Sequence, residues 1–349
     1  MAPLRLYKRL CAALALFSLL VLSACAAPAA ERSAAETPPP AKIEPKGKVY
    51  YSYFDTVSYV YDYAGDSAER FDERSAEVSH ILTEYHRLFD IYHEYSGMNN
   101  LCTLNSRAGG EALELDEKLI EFLLYAKEMY ELSGGEMNVM LGAVLRPWHD
   151  CREAARHTDI ALLEIDREKH SARIADPEAS IDVGALGKGY ATERAAEYLE
   201  SVGAYGYVLN IGGNIRCIGA RPDGSGWVTA IRDPDTAAEG YACSIRISDT
   251  ACVTSGVYER YFTVGGERYH HIIDKDTLFP AAYFSSLTVV THDSALADAL
   301  STALFCMSAD EGEALARRIG GVELLWIFSD GEMRSTPGFS AMIEEPTPS

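Results

Sequence analysis

Two oxygen-bearing side chains, Asp298 and Thr302, lie four residues apart in the stretch THDSALADALSTALF (residues 291–305). Three leucines at the same interval predict an α-helix with one apolar ridge. The carboxylate and the hydroxyl share the opposite face, between small alanines that leave room beside them. Such a face is either exposed to solvent, which is the common case, or supplies oxygen atoms to a ligand.

A glycine-rich stretch, IDVGALGKGY (residues 181–190), predicts an apolar strand, a turn and the start of a helix. The backbone N–H groups of such a turn can bind a phosphate, and Lys188 would lie over it. The stretch is not a Walker A loop, because Gly189 follows the lysine, and it is not a GxGxxG fingerprint. The glycines either bind an anion or serve only a tight turn. A second glycine pair, in GYVLNIGGNIRCIG (residues 206–219), predicts a hairpin turn or another close backbone approach.

His270 and His271 are adjacent in a predicted strand, so their side chains point to opposite faces and one of them at most reaches a pocket. This spacing disfavours a metal site that uses both. The sequence has no HExxH, GxSxG or DxDxDG motif. Zinc proteases and serine hydrolases of those types therefore lack their required residues.

The N-terminus predicts an export signal. Residues 1–24 carry three basic residues and then an apolar run of about twelve, which is too short to span a bilayer. The run ends in LSAC, which resembles a bacterial lipobox and makes Cys25 the predicted site of lipidation; an ordinary secretion signal is the alternative. Residues 25–47 are rich in Ala and Pro and predict a disordered spacer. Residues 48–345 form the predicted domain.

Composition excludes one class of partner. The chain has 31 Lys and Arg against 52 Asp and Glu, a net charge of −21, so nucleic acid would be repelled. The cysteines beyond Cys25 have no zinc spacing and predict no particular disulfide. Helical periods precede most of the strand-like segments without regular alternation, which favours an α+β fold with mixed or antiparallel sheets. Those segments are GYVLNI, WVTAIR, ACSIRI, YFTV, YHHII, SLTVV and ELLWIF.

Several motifs in register resemble the ApbE family of FAD:protein FMN transferases. They are FDTVSYV, LFDIYHEYSGMNNLCTLN, GGEMNVMLGAVLRPW, DVGALGKGYATE, LNIGGNIRCIG, TSGVYERYF, HHIIDKDTLFP and SLTVVTHDSALADALSTALF. The resemblance implies an ApbE-like, T-fold-related domain that transfers FMN from FAD to a Thr or Ser hydroxyl of an acceptor flavoprotein and releases AMP, with Mg²⁺ required. The alternatives are a Mg²⁺-dependent FAD pyrophosphatase, which uses water instead, and a non-catalytic flavin- or solute-binding lipoprotein.

The resemblance also implies roles for individual residues. Mg²⁺ would be bound by Ala185 through its carbonyl, Asp298 and Thr302, an all-oxygen set that suits this ion. His271 is the implied proton acceptor. The implied FAD contacts are Phe54, Tyr92, Glu136, Met137, Asn138, Asp182, Lys188 and His271. The chain departs from the family pattern at Met137–Asn138, Lys275, Leu278 and Asn214.

The resemblance and the lipobox together imply a location. The mature protein would be a lipoprotein outside the cytoplasm, anchored at the outer face of the cell membrane or in the periplasm. Its acceptors would be flavoprotein subunits with an FMN-binding domain, such as those of Nqr- and Rnf-like redox complexes.

Overall fold

A computed structural model describes most of the predicted domain, and the described residues belong to one unit, Ile43–Ser349. They are residues 44–145, 157–235, 240–258, 261–264, 267–270, 272–277 and 279–344. The signal segment, Cys25 and His271 lie outside these ranges. Among the described residues, no helix has both the length and the apolar character needed to cross a bilayer.

Strands and helices follow one another in an irregular order. The strands are β1 (Lys46–Tyr53), β2 (Thr56–Asp62), β3 (Leu113–Glu114), β4 (Leu163–Asp166), β5 (Ser171–Ile174), β6 (Tyr207–Ile211), β7 (Asn214–Ile218), β8 (Trp227–Arg232), β9 (Tyr241–Ile247), β10 (Ala251–Gly256), β11 (Tyr261–Val264), β12 (Glu267–His270), β13 (Ser286–Thr291), β14 (Glu323–Ile327) and β15 (Met333–Ser335). The helices are α1 (Ala68–Phe89), α2 (Leu101–Ser106), α3 (Glu117–Ser133), α4 (Gly142–Leu145), α5 (Gly187–Ser201), α6 (Ser294–Ala303), α7 (Ala309–Ile319) and α8 (Pro337–Met342), with 3₁₀ turns at Ile160–Leu162 and Leu304–Cys306.

The largest sheet of the described residues has eight strands in the order β1-β2-β6-β7-β10-β13-β14-β15. Its neighbouring strands are antiparallel, as are those of a three-stranded sheet, β3-β5-β4, and of the hairpins β8-β9 and β11-β12. Helices pack against the large sheet. The predicted α+β class with antiparallel sheets is therefore confirmed.

Each face of the large sheet has its own cover. On one face α6 packs on β10 and β13, while α5 packs on α1 and α6. On the other face the β8–β9 hairpin and α8 contribute Trp227, Ile245 and Phe339 to a separate apolar cluster. The helix-covered face positions the candidate site, because α5 and α6 run antiparallel on it and the first turn of α5 lies against Asp298 of α6.

Local sequence signals predicted several elements well. The aromatic segment before residue 62 forms the β1–β2 hairpin, and α3 begins after an Asp116 cap and ends at Gly134, where φ is 68°. One strand prediction is wrong. Residues 181–183 form no strand, although Ser180 makes an isolated bridge to Leu141.

The first turns of α5 are buried, whereas Val202 follows the helix and is 43% exposed.

Candidate functional site

The crossing of α5 and α6 is the closest approach in the site. A Cβ at Gly189 would lie 2.3 Å from Asp298 Cβ and 2.4 Å from the Ser294 carbonyl oxygen. A side chain at this position would therefore push the helices apart. Tyr190, which is buried against Phe122, holds the start of α5 in the core. The glycine places the first turn of α5 directly against the carboxylate of α6.

Asp298 divides its two oxygens between different tasks. Oδ2 accepts a hydrogen bond from the Gly189 N–H at 2.7 Å, while Oδ1 lies 4.0 Å from Lys188 Nζ. Leu186, at the N-cap position of α5, provides no side-chain cap, so Asp298 caps that helix from a distance in sequence. The predicted polar face of α6 is thus not exposed to solvent at Asp298, which is 4% exposed.

Burial governs the charge of Asp298. Removal from water raises the pKa of this carboxyl, and the Lys188 ammonium and the Gly189 N–H each oppose the rise. The positive end of the α5 dipole favours negative charge at the same place. The Lys188 ammonium, the Gly189 N–H and the helix dipole therefore all favour the ionised form of Asp298.

The turn before α5 is fixed by side chains rather than by strand pairing. Asn105 makes two hydrogen bonds to the backbone of Ile181, accepting from its N–H at 2.7 Å and donating to its carbonyl at 2.9 Å. Asp182 Oδ1 accepts from the Gly184 N–H at 2.8 Å. This amide clamp and a hydrogen bond from the Asp182 N–H to the Val139 carbonyl at 2.8 Å satisfy the backbone of the apolar run without a full strand pairing. It also directs the Gly184–Ala185 backbone toward α6.

A cavity of about 440 Å³ lies between this turn, α6 and the ends of β7 and β10. Ala185, Asp298 and Thr302 all line it, together with Lys188. The Thr302 hydroxyl makes no hydrogen bond within the described part of the chain, so it is available to a ligand. Among the oxygen groups that line the cavity, the predicted donor set is the Asp298 carboxylate, the Thr302 hydroxyl and the Ala185 carbonyl.

This donor set suits a hard cation. Within the described ranges, no group of three His, Cys, Asp or Glu side chains could hold a metal, so a transition-metal site of that type is absent from them. Oxygen ligands of mixed kind, supplemented by water and substrate phosphate, are what Mg²⁺ takes in nucleotide sites. The residues present therefore fit Mg²⁺.

A second cavity, of about 360 Å³, adjoins the first. The two share five wall residues: Asp55, Tyr92, Asp182, Gly184 and Lys188. Phe54 belongs to the second cavity and lies at the tip of the β1–β2 hairpin, where its N–H donates to His86 Nδ1 at 3.2 Å. Since the walls are shared, an elongated ligand could occupy both cavities at once.

Asp90 organises the floor of the second cavity. It accepts hydrogen bonds from the Tyr92 and His93 N–H groups and from the Tyr95 hydroxyl. Burial raises the pKa of Asp90, but these hydrogen bonds outweigh it and leave the pKa below its ordinary value. Asp90 and His86 were not among the predicted site residues; the DIYH motif contains Asp90 and could have indicated it, whereas His86 lies outside that motif.

The remaining predicted FAD contacts differ in how far they are exposed and in how firmly other residues hold them. Tyr92 is 73% exposed at their junction. Glu136 lies 3.2 Å from Lys275 Nζ; burial raises the pKa of Glu136, and Lys275 opposes that rise. Met137 is buried, and both ends of the Asn138 amide bind backbone groups, Met140 N and Thr158 O.

The loop that follows His271 is held by Asp274. Asp274 accepts hydrogen bonds from the N–H groups of Asp276 and Thr277, so it caps a turn. Since His271 itself is outside the described ranges, its proposed role as proton acceptor stays a prediction.

Comparisons with known proteins identify the family and the fold of this chain. The model of the ApbE family matches residues 56–326. The FAD:protein FMN transferase of Treponema pallidum (strain Nichols) is 31% identical over 264 residues, which cover 68% of this chain and 73% of that protein. The ApbE protein of Thermotoga maritima has a similar structure, with a TM-score of 0.77 at 25% identity over 86% of this chain and 100% of that one. A variant of the flavin transferase ApbE from Vibrio cholerae gives 0.72 at 25% identity, over 86% of this chain and 99% of that one.

Proposed function

The chain belongs to the ApbE family, and on that premise we propose that this enzyme transfers FMN from FAD to a Thr or Ser hydroxyl of an acceptor flavoprotein, with Mg²⁺ required and AMP released. The observation that carries the proposal is the α5–α6 crossing. It places Asp298, Thr302 and the Ala185 turn around one cavity, beside Lys188 and the start of α5.

We propose that Asp298 Oδ1, the Thr302 hydroxyl and the Ala185 carbonyl hold the magnesium ion. The ion would supply positive charge against the pyrophosphate of FAD. Lys188 would add a second positive charge on the other side of the turn. The N–H groups of Gly187 and Gly189 are already bonded within the chain, so the start of α5 would act on the phosphate through the positive end of its helix dipole.

The chemical step exchanges the phosphoanhydride bond of FAD for a phosphoester bond to the acceptor. The acceptor hydroxyl oxygen forms a bond to the FMN phosphorus, and the bond from that phosphorus to the bridging oxygen breaks, so AMP leaves with the electron pair. We assign the hydroxyl proton to His271, whose neutral imidazole suits this task near pH 7. The contiguous cavities would hold the flavin and nucleotide parts of FAD on either side of Lys188.

We further propose that the mature protein is anchored outside the cytoplasm through lipidated Cys25. The lipobox-like LSAC and the spacer after it support this location. The acceptors would then be extracytoplasmic flavoprotein subunits with an FMN-binding domain, of the Nqr- and Rnf-like type.

The test uses the full chain, purified in detergent, with FAD and Mg²⁺, and with or without an acceptor domain that carries a flavinylation threonine. AMP release and the intact mass of the acceptor are measured together. An acceptor heavier by one FMN, with AMP formed only in its presence, is the expected result. A matched acceptor with Thr replaced by Ala should stay unmodified. AMP and FMN formed at the same rate without acceptor would instead assign a pyrophosphatase.

A further inference from the structure

Ser294, the first residue of α6, is a junction between three elements. Its N–H donates a hydrogen bond to Glu193 Oε2 on α5 at 2.6 Å, and its hydroxyl donates to Asn214 Oδ1 on β7 at 2.6 Å. All three side chains are buried. The start of α6 is therefore fixed from two directions before the helix reaches the residues that line the cavity.

The two helices cap each other. Glu193 lies one turn after Gly189 on α5, and Asp298 lies one turn after Ser294 on α6. The Gly189 N–H donates to Asp298, and the Ser294 N–H donates to Glu193. We call the Gly189–Asp298 hydrogen bond the first rung and the Ser294–Glu193 hydrogen bond the second rung. Together they set both the distance between the helices and their register, which a single hydrogen bond could not do.

Arg216 pairs with the Glu193 carboxylate of the second rung. Its side chain is fully buried, with Nε 3.3 Å from Glu193 Oε2 and Nη2 2.7 Å from Glu200 Oε1. A buried guanidinium needs anionic partners, since desolvation of an unpaired charge is strongly unfavourable. Burial raises the pKa of Glu193, and Arg216 and the Ser294 N–H oppose that rise, so Arg216 favours the ionised form, which accepts the N–H more strongly than a neutral group would.

We propose that Glu193 is a positioning residue that sets α6 so that Asp298 and Thr302 face the Ala185 turn. Glu193 itself belongs to the wall of neither cavity and so acts only through α6. The inference rests on the proposed magnesium site and deepens it. It assigns the precision of that site to a carboxylate 105 positions away from Asp298 in the sequence.

The matched pair of variants is Glu193→Gln and Glu200→Gln. Both remove one carboxylate from Arg216, but Glu200 does not contact α6 within the described residues, so only the first variant weakens the second rung. We expect Glu193→Gln to weaken Mg²⁺ binding by about tenfold or more, as loss of an outer-shell partner of a metal ligand does. Glu200→Gln should change the Mg²⁺ affinity by less than about twofold, and it should lower the stability less than Glu193→Gln does, because the Glu200 side chain is 33% exposed and that of Glu193 is 6% exposed.

The measurement is calorimetric titration of Mg²⁺ into the full chain, with unfolding in urea followed in parallel. If Glu193→Gln does not fold, the double variant Glu193→Met with Arg216→Met replaces the buried pair by apolar groups and restores the core. The double variant should also bind Mg²⁺ more weakly than the wild type does, because the Ser294 N–H remains without its acceptor. A kinetic readout completes the design: the Mg²⁺ concentration for half-maximal rate should rise more than kcat falls.

The outcomes separate the two proposals. Equal Mg²⁺ affinity in the wild type, in Glu193→Gln and in the double variant would overturn the positioning role alone. Absence of Mg²⁺ binding in the wild type would overturn the proposed metal site and this inference with it. Weakening by Glu200→Gln as large as that by Glu193→Gln would assign the effect to Arg216 and the core rather than to α6.

Discussion

Substitution of Gly189 by alanine tests whether the helix crossing positions the catalytic oxygens. The new Cβ would lie 2.3 Å from Asp298 Cβ, about 1 Å closer than the 3.4 Å at which ordinary contact begins. Relief requires α5 and α6 to separate by about that amount at the crossing. The 2.7 Å hydrogen bond from the Gly189 N–H to Asp298 would then be stretched to about 3.7 Å, beyond the useful range.

The expected loss of stability is smaller than the loss of activity. Overpacking costs about 1–3 kcal/mol, while alanine gains about 1 kcal/mol over glycine inside a helix, so the net decrease in unfolding free energy is about 0–2 kcal/mol. Displacement of a metal ligand by about 1 Å should lower the rate by about 100-fold. The rate of AMP release with acceptor present and the urea unfolding curve measure the two effects.

Gly312→Ala provides the matched control. Gly312 is also inside a helix, α7, but its added Cβ would meet only the ends of Trp326 and Leu304 side chains at 3.3 and 3.5 Å. This variant should keep the wild-type rate and equal or exceed its stability. A wild-type rate in Gly189→Ala, with Gly312→Ala unchanged, would refute the view that close helix contact positions Asp298.

Three further predictions follow from the same site. Asp298→Asn keeps an oxygen that can accept the Gly189 N–H, so this variant should fold normally and lose turnover. Asp298→Ala also removes the helix cap and should lose about 0.5–2 kcal/mol of stability as well. Urea unfolding curves and AMP release measure the two effects. Chelation with EDTA should abolish AMP release, and added Mg²⁺ should restore it. The depressed pKa of Asp90 adds stability above its ordinary value of 3.8 that is lost as the pH falls below it, so Asp90→Asn should flatten the acid limb of the stability profile.

Each of these has a contradicting result. Normal turnover by Asp298→Asn would remove the carboxylate from the metal site, and full activity in EDTA would remove the metal from the reaction. An acid limb that stays equally steep in Asp90→Asn would mean that other carboxyl groups dominate it.

Local chemistry made several helices predictable. Asp116 and Gly134 bracket α3 because a carboxylate accepts from the first-turn N–H groups and glycine takes the left-handed conformation at the end. Strands with alternating or β-branched residues, such as β6 and β13, were predicted for equally local reasons. These signals lie within a few residues of the elements that they specify.

The misassigned strand at 181–183 shows the limit of such signals. Its apolar residues are buried as a strand's would be, but the Ile181 backbone is bonded by the Asn105 side chain, 76 positions earlier, and the Asp182 N–H by the Val139 carbonyl. Hydrophobic pattern reports burial and not the identity of the hydrogen-bond partner. The Met137–Asn138 departure is similar: Asn138 binds backbone on both sides, which no pattern in the sequence indicates.

The candidate site was predictable as a set of residues but not as a geometry. The i, i+4 spacing placed Asp298 and Thr302 on one helix face, and the glycine turn indicated an anion site. The contact between Gly189 and Asp298 joins positions 109 apart, and the second rung between Glu193 and Ser294 joins positions 101 apart. Such distances lie outside any periodicity, so the buried state of the polar face became evident only from the fold.

The division of labour between the two oxygens of Asp298 has a consequence for the order of assembly. Oδ2 is already satisfied by the chain's own backbone, so the helix crossing needs no ion to form, unlike small domains that stay unfolded until a metal arrives. Binding of the proposed Mg²⁺ would then be a late and reversible event on the folded protein. The proposed Mg²⁺ would exchange between turnovers without unfolding the protein, and its contribution to thermal stability would be limited to what its free concentration provides by mass action.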